Sequence, residues 1–437
     1  MNNAKLVMTP IRRGLLAGKE NTIDVLVSIE APDAPVDLQK NRPALNLALV
    51  VDRSGSMAGA PLAEAKRCAA HVVERLSAQD RIAIVAYDDE AAVIVPSQLA
   101  VDSQSVCARI NAIQDRGCTN LHGGWLTGAG EVSPFVKPAS VSRVMLLSDG
   151  LANRGLLDRV EIYRQCEELA GAGVTTSTYG LGSQFDEELM TGIARAGQGN
   201  AYYGNTAQDL FDPIEEELQL LSALFARQLR VRYQAARGVR VRVVNSLTRP
   251  APGEVVLPDL AFDGEAWVLL RLEVPAGAST EPAPALVNLL EVSAEFEFMD
   301  GARGSLDPVT LALPSLAEQD YRALAEEPRV RTRAAELDVA RIEREAREAA
   351  RRGDWNQVDR SLDMACMVAS DSDWASETVA DLRQIARERD AERLSKESHY
   401  AAHRQERRLS PKPGAGPVDS SRARYLREKS LQGRSDN

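Results

Sequence analysis

Long apolar runs are missing from this sequence: none approaches the roughly 18 residues that a membrane-spanning helix needs, so we expect no membrane span. The N-terminal stretch MNNAKLVMTPIRRGLLAGKE also lacks the apolar core of a signal peptide. The five cysteines are odd in number and have no CxxC spacing, which is typical of ordinary reduced thiols. Together these absences predict a cytoplasmic protein.

An excess of basic residues is missing as well. The formal net charge is −11, which argues against nucleic acid as the main partner, because nucleic-acid-binding proteins usually present a basic face. The hydrophobic content of 44% and the charged content of 26% are ordinary for a globular protein. With 437 residues, the chain is long enough for two or three domains.

Between about Leu45 and Arg227, apolar strand patterns alternate with helical patterns. Such alternation predicts parallel strand pairing and a sheet covered by helices on both faces. The near-continuous apolar run Leu45–Val51 is typical of a strand buried on both faces. The pattern predicts helices over Leu121–Val136 and Thr206–Phe225, among others. We therefore predict a doubly wound, Rossmann-like α/β domain over residues 42–226.

The flanking sequence has a different character. Residues 227–314 carry alternating runs separated by Pro and Gly, at the spacing of a β-sandwich, and 1–41 contain one further strand pattern at Asn21–Glu30. We predict that the α/β domain is inserted into this β-sandwich. Residues 315–408 are predicted to be an α-helical C-terminal region. The final segment, 409–437, is predicted to be a disordered basic tail.

Oxygen-bearing side chains follow two of the predicted strands. In LNLALVVDRSGSMAG, Asp52 ends an apolar strand, and the hydroxyls of Ser54 and Ser56 follow in a turn. Asp149 ends a second apolar strand, VMLLSDG, and Thr119 lies in the turn of RGCTNL. Strand ends converge at the crevice where the strand order of an open α/β sheet reverses. Carboxylate and hydroxyl oxygens gathered there suit a small hard cation such as Mg²⁺.

This set resembles the metal-ion-dependent adhesion site of von Willebrand factor A (VWA) domains, and all five family positions are filled. The resemblance implies that Asp52, Ser54, Ser56, Thr119 and Asp149 hold Mg²⁺, or Mn²⁺ or Ca²⁺ in its place. It also implies that the hydroxyls bind the metal directly while the aspartates act mainly through water. A carboxylate from a protein partner would then complete the coordination. Cys118 stands where the family frequently has glycine.

We further predict a partner-facing rim around this metal site. The residues chosen for it are Met57, Asn120, His122 and Asn153. The favoured function is a metal-dependent scaffold or adaptor that binds protein and has no catalytic activity of its own.

Two other functions stay open. A strand-end aspartate with Mg²⁺ also serves hydrolases and phosphotransferases, although Arg53 and Ser54 follow Asp52 and no supported general base is evident. Alternatively, a VWA fold with a vestigial metal site would act through its β-sandwich and helices. The longer layout is similar to bacterial cytoplasmic VWA proteins labelled calcium-activated chloride channel-like. Resemblance to cytoplasmic bacterial VWA proteins implies AAA+ ATPases, or kinase and phosphatase signalling proteins, as partners.

Overall fold

A computed structural model of the chain describes residues 4–36, 38, 42–149, 151–181, 186–204, 206–278, 283–370, 372–391, 393–395, 397–398 and 410–411. The described residues fall into two compact units. The first unit draws on the segments Met1–Pro32, Ala226–Leu260 and Gly264–Ser410, and the second is built mainly from Asp33–Phe225 with Ala261–Asp263. Along the chain, the second unit is therefore inserted into the first. Apart from residues 410 and 411, the predicted tail lies outside the described residues.

The strands are numbered in chain order. They are β1 (Lys5–Pro10), β2 (Leu15–Leu16), β3 (Asn21–Glu30), β4 (Ala44–Asp52), β5 (Arg81–Tyr87), β6 (Ala91–Leu99), β7 (Ser140–Ser148), β8 (Val174–Leu181), β9 (Gln198–Gly204), β10 (Leu224–Ala235), β11 (Arg240–Val243), β12 (Glu254–Val256), β13 (Leu260–Ala261), β14 (Gly264–Val274), β15 (Ala283–Phe298), β16 (Arg303–Leu316) and β17 (Ser410–Pro411).

The α-helices are numbered in the same way. They are α1 (Ala60–Arg75), α2 (Ser103–Asn111), α3 (Leu121–Val132), α4 (Arg159–Gly171), α5 (Glu187–Ala196), α6 (Ala207–Ser222), α7 (Glu318–Ala323), α8 (Pro328–Arg351), α9 (Trp355–Ala369) and α10 (Asp373–Glu388). Short 3₁₀ turns occur at Gly55–Met57, Ser133–Phe135 and Ala276–Ala278. Among the described residues, no helix combines the length and apolar character needed to cross a membrane.

The inserted unit contains one six-stranded sheet in the order β6-β5-β4-β7-β8-β9. Its strand pairs are parallel except for β5 with β6, which are antiparallel. Every described residue of β7 is buried, as is nearly all of β4, because helices cover both faces of the sheet. The predicted doubly wound α/β fold is confirmed, and the strand order reverses between β4 and β7.

Two glycines let α3 lie close to the sheet. A Cβ atom added to Gly124 would lie 2.4 Å from the ring of Tyr87, and one added to Gly128 would lie 2.3 Å from a methyl group of Val50. Because the two glycines are four residues apart, they share one helix face. Helix α3 therefore packs closely against β4 and β5 near the ends that carry the predicted site.

Two of the predicted helices are shorter in the structure. The helix predicted over Leu121–Val136 ends at Val132, and the 3₁₀ turn that follows contains Pro134, whose ring nitrogen has no proton to donate. The helix predicted over Thr206–Phe225 ends at Ser222, and β10 begins two residues later. Helical periodicity did not distinguish these ends, because the flanking residues are also apolar.

The first unit contains two further sheets and a group of helices. One sheet has the order β1-β3-β14-β11, with antiparallel neighbours, and the other runs β12-β10-β15-β16-β2. Helix α8 packs on the first sheet, where Val330 and Leu337 join Leu26, Trp267 and Leu269 in one buried cluster. Helices α8, α9 and α10 pack in sequence against one another. Helix α8 and the first sheet therefore share one buried cluster.

A buried ion pair ties α6 to the sheet of the inserted unit. Arg143 on β7 contacts Glu217 on α6, and both side chains are at most 2% exposed. Glu217 also accepts hydrogen bonds from Ser177 (2.7 Å), Asn200 (2.7 Å) and Tyr202 (2.7 Å). Burial alone would raise the pKa of Glu217, but Arg143 and these donors outweigh it and lower the pKa. The carboxylate therefore stays charged inside the protein.

We predict that Glu217→Gln destabilises the inserted unit by roughly 3–5 kcal/mol, because it leaves the charge of Arg143 buried without its partner. The matched control is Glu215→Gln on the same helix, whose half-exposed pair with Arg75 should contribute about 1 kcal/mol or less. Urea unfolding followed by circular dichroism measures both. Equal losses in the two variants would contradict this account of the buried pair.

Candidate metal centre

The two predicted aspartates lie at the point where the strand order reverses. Asp52 ends β4, and Asp149 directly follows β7, the parallel neighbour of β4. Asp52 is fully buried and Asp149 is 4% exposed. Open α/β sheets bind ligands at this crevice, beyond the carboxyl ends of the strands.

The carboxylate of Asp52 is held by three donors. Its Oδ1 atom accepts a hydrogen bond from the backbone N–H of Ser54 at 2.9 Å. Its Oδ2 atom accepts one from the hydroxyl of Ser148 at 2.6 Å and lies 3.0 Å from the hydroxyl of Tyr87. The Tyr87 and Ser148 oxygens are themselves 2.9 Å apart. These contacts fix both the position and the orientation of the carboxylate.

The turn after β4 presents the two predicted serines. Their Oγ atoms are 3.1 Å apart, with Ser54 buried and Ser56 exposed. Ser56 also makes a side-chain hydrogen bond to Asp149. Met57 is fully buried, and its N–H donates to the carbonyl of Ser54 at 2.9 Å, which anchors the turn. Four of the five predicted ligands are therefore linked directly to one another.

Thr119 joins the same edge through its loop. The N–H of Gly55 donates to the carbonyl of Gly117 at 3.1 Å, which ties the Thr119 loop to the serine turn. On its other side, the N–H of Thr119 donates to Asn153 Oδ1 at 2.9 Å, and the N–H of Asn153 donates to the Thr119 carbonyl at 3.1 Å. Thr119 is 2% exposed. The structure therefore brings the loops of all five predicted ligands together.

The pKa values of both carboxylates are raised. Burial, followed by repulsion from Asp149, raises the pKa of Asp52 to about 6. Burial likewise raises the pKa of Asp149, although hydrogen bonds from Ser56 and from the backbone of Leu151 oppose the rise. The groups that favour the charged forms are hydroxyls and backbone amides rather than cationic side chains. Positive charge at this edge would therefore be favourable.

The donor set fits a hard divalent cation. Mg²⁺ binds oxygen ligands at about 2.1 Å in octahedral geometry, which places adjacent ligand atoms about 3 Å apart. The 3.1 Å separation of the two serine Oγ atoms matches this spacing. Among the described residues, no group of three or more His, Cys, Asp or Glu is arranged to hold a metal ion.

The predicted rim requires one correction. Met57 has no exposed surface, so it anchors the serine turn and cannot contact a partner. Asn120 is half-buried and caps α3 by accepting a hydrogen bond from the N–H of Gly123 at 3.0 Å. His122 is half-buried and bonds Gln165 on α4 at 2.8 Å. Asn153 is exposed beside Thr119. The roles of these three in partner binding stay predictions.

Tyr87 and Ser148 belong to the site but are not predicted from the sequence pattern. Tyr87 ends β5 and lies directly opposite Asp52 in the parallel register of β4 and β5. Ser148 precedes Asp149 and closes the gap between β7 and Asp52. A polar residue at the end of each strand beside β4 is the signal that could have identified both.

Comparisons with known proteins show what the α/β unit is similar to. The sequence model of the family described as von Willebrand factor type A domain matches residues 46–216. The uncharacterized protein sll0103 of Synechocystis sp. is 27% identical over 256 residues, covering 55% of this chain and 59% of that protein. The uncharacterized protein YfbK of Escherichia coli (strain K12) is 28% identical over 196 residues, covering 44% of this chain and 34% of that protein. The chain thus covers less than two thirds of the length of either relative.

A solved structure extends the likeness beyond the α/β unit. The structure titled von Willebrand factor type A from Catenulispora acidiphila has a TM-score of 0.67 to this chain at 16% identity. The alignment covers 88% of this chain and 90% of that one. At this level of identity the likeness shows a shared fold.

We predict that Asn153→Ala loosens the Thr119 loop. The variant removes the side-chain acceptor of the Thr119 N–H, a bond of about 1 kcal/mol. Hydrogen exchange should accelerate at Thr119, while exchange in β4 should stay unchanged. The control is Asn111→Ala, which replaces an exposed asparagine at the end of α2. If Asn153→Ala left hydrogen exchange at Thr119 unchanged, the proposed role of Asn153 in holding the Thr119 loop would be wrong.

Proposed function

We propose that the VWA domain at residues 46–216 is a metal-dependent protein-interaction module, and that the chain acts as a scaffold or adaptor. The observation that carries this proposal is the pair of serine hydroxyls, 3.1 Å apart, between two buried carboxylates. Hydroxyls and backbone amides, rather than cationic side chains, stabilise the charged forms of these carboxylates. VWA domains are generally protein-interaction modules.

The five site residues divide into two roles. The hydroxyls of Ser54, Ser56 and Thr119 would hold Mg²⁺, or Mn²⁺ or Ca²⁺, as neutral oxygen ligands. The carboxylates of Asp52 and Asp149 would supply negative charge behind them. When bound, the cation supplies a positive centre at the exposed side of Ser56. Mg²⁺ usually keeps several exchangeable water ligands. An Asp or Glu side chain from a partner protein could therefore replace one of them.

Catalysis is the weaker hypothesis. VWA domains are typically non-enzymatic adhesion and interaction modules. A metal-dependent hydrolase or phosphotransferase needs a positioned general base or a second acid beside Asp52. Arg53 follows Asp52 and forms an ion pair with Asp88 at 2.7 Å, while His122 is bonded to Gln165. A vestigial metal site, with function carried by the sheets and helices of the first unit, is the remaining alternative.

We further propose that the protein works in the cytoplasm, where AAA+ ATPases or kinase and phosphatase signalling proteins would be its partners. All five cysteines are unpaired, which suits a reducing compartment. The two sheets of the first unit would form the β-sandwich that carries the inserted VWA domain.

The proposed function predicts metal-dependent capture of a partner. Wild type and Thr119→Ala would be used in affinity pull-downs from the source cell's lysate, each in Mg²⁺ and in EDTA. We expect a protein retained only by wild type in Mg²⁺. Thr127→Ala on α3 is the control, because its hydroxyl donates a hydrogen bond within its own helix, to the carbonyl of Gly123 at 2.8 Å. Capture that is indifferent to both Thr119 and the metal would contradict the proposal.

The contacts of Asp52 predict a role for Tyr87 in metal affinity. Tyr87→Phe removes one of the hydroxyls beside the carboxylate, and outer-shell changes of this kind typically weaken metal affinity by about 10–100-fold. Isothermal titration with Mg²⁺ measures this. Tyr179→Phe is a matched control, because Tyr179 is a buried tyrosine of the same sheet whose hydroxyl has no hydrogen-bond partner among the described residues. Equal affinities in wild type and Tyr87→Phe would disprove this role.

A further inference from the structure

Three large aliphatic side chains are exposed in a single ten-residue segment beside the metal centre. Leu151 is 40% exposed, Leu157 is 51% exposed and Val160 is 77% exposed. We call these three residues the aliphatic rim. Exposed apolar side chains are normally scattered singly over a protein surface, and groups of them next to a binding site mark interaction surfaces.

Hydrogen bonds join the segment that carries the aliphatic rim to the metal centre. The N–H of Leu151 donates to Asp149 Oδ1 at 3.1 Å, so the first rim residue, two positions after a predicted ligand, is hydrogen-bonded to it. Two residues later, Asn153 is tied to Thr119 by hydrogen bonds in both directions. The N–H of Arg154 also donates to the Thr119 carbonyl, at 3.2 Å. A ligand at the metal would therefore lie beside this segment.

The segment is held in place rather than loose. Gly155 has a φ of +72°, and a Cβ atom there would lie 2.2 Å from Asn120 Oδ1, so the chain passes tightly over the cap of α3. Asp158 then caps α4 by accepting a hydrogen bond from the N–H of Val160 at 2.9 Å. A surface that is already ordered loses less conformational entropy on binding.

Three arginines near this edge have acidic partners in the structure. Arg116 forms an ion pair with Asp88 at 2.7 Å, and Arg154 lies 3.6 Å from Asp89. Arg159, between Leu157 and Val160, is paired with Asp186 on the N-terminal side of α5. These arginines are engaged with carboxylates, although Asp88 is shared between Arg116 and Arg53. A bound metal and the aliphatic surface next to it would be the features that this edge offers to a partner.

We infer that the aliphatic rim receives a large apolar side chain of the partner protein, next to the acidic residue that the partner presents to the metal. This inference rests on the proposed function, and it names the recognised chemistry: an Asp or Glu with a neighbouring aliphatic or aromatic residue. The metal would bind the acidic residue of any such partner. The rim would select among acidic partners by the apolar residue beside the acidic one.

The test uses a displayed library of random peptides, selected on the full chain in Mg²⁺. We expect Mg²⁺-dependent peptides with an acidic residue and an apolar residue beside it. The affinity of the best selected peptide would then be measured for wild type and for Leu157→Ser/Val160→Ser. Removing aliphatic surface that a peptide side chain covers should weaken binding about tenfold.

A control variant, Leu99→Ser/Val101→Ser, makes the same change at residues with nearly the same exposure, 46% and 72%, at the opposite end of the sheet beside Arg81. We expect it to bind like wild type. Metal-dependent acidic peptides that bind both double variants equally would overturn the inference while leaving the proposed function intact. Selection that yields no Mg²⁺-dependent peptide would overturn both.

Discussion

The carboxylate of Asp52 lies at the end of a central strand with no exposed surface, and a buried charge there must be matched by polar contacts. The protein meets this need with one backbone N–H and two hydroxyls, at 2.6–3.0 Å. Those contacts come from three places: the turn after β4, the end of β5 and the end of β7. Satisfying one carboxylate thus fixes the relative positions of the elements that surround it.

The rest of the centre depends on this arrangement. With Asp52 fixed, the serine turn is held between its backbone bond to Asp52 and the buried side chain of Met57. Hydrogen bonds then connect the serine turn to the Thr119 loop, and that loop to Asn153. Since hydroxyls and amides satisfy Asp52 without supplying positive charge, repulsion from Asp149 persists. A bound divalent cation would relieve it, which links the stability of this edge to its proposed function.

Much of this centre could be predicted from the sequence, because its main signals are local. A buried strand ends at Asp52, another ends just before Asp149, and parallel strands bring such ends to one edge. Tyr87 and Ser148 could not be assigned in this way, because their contacts depend on register between strands that are distant along the chain. The sequence also does not show that Met57, which lies in a polar turn, has no exposed surface. Likewise, nothing local in α6 indicates that Glu217 meets Arg143.

The central claim is that five side chains, Asp52, Ser54, Ser56, Thr119 and Asp149, form one divalent-cation site. A crystal structure of the full chain grown with Mn²⁺, analysed by anomalous scattering, tests it most directly. We predict a single strong anomalous peak within bonding distance of the Ser54, Ser56 and Thr119 hydroxyls, with the two carboxylates close behind. Mn²⁺ bound elsewhere, or no peak at this edge at saturating Mn²⁺, would contradict the account.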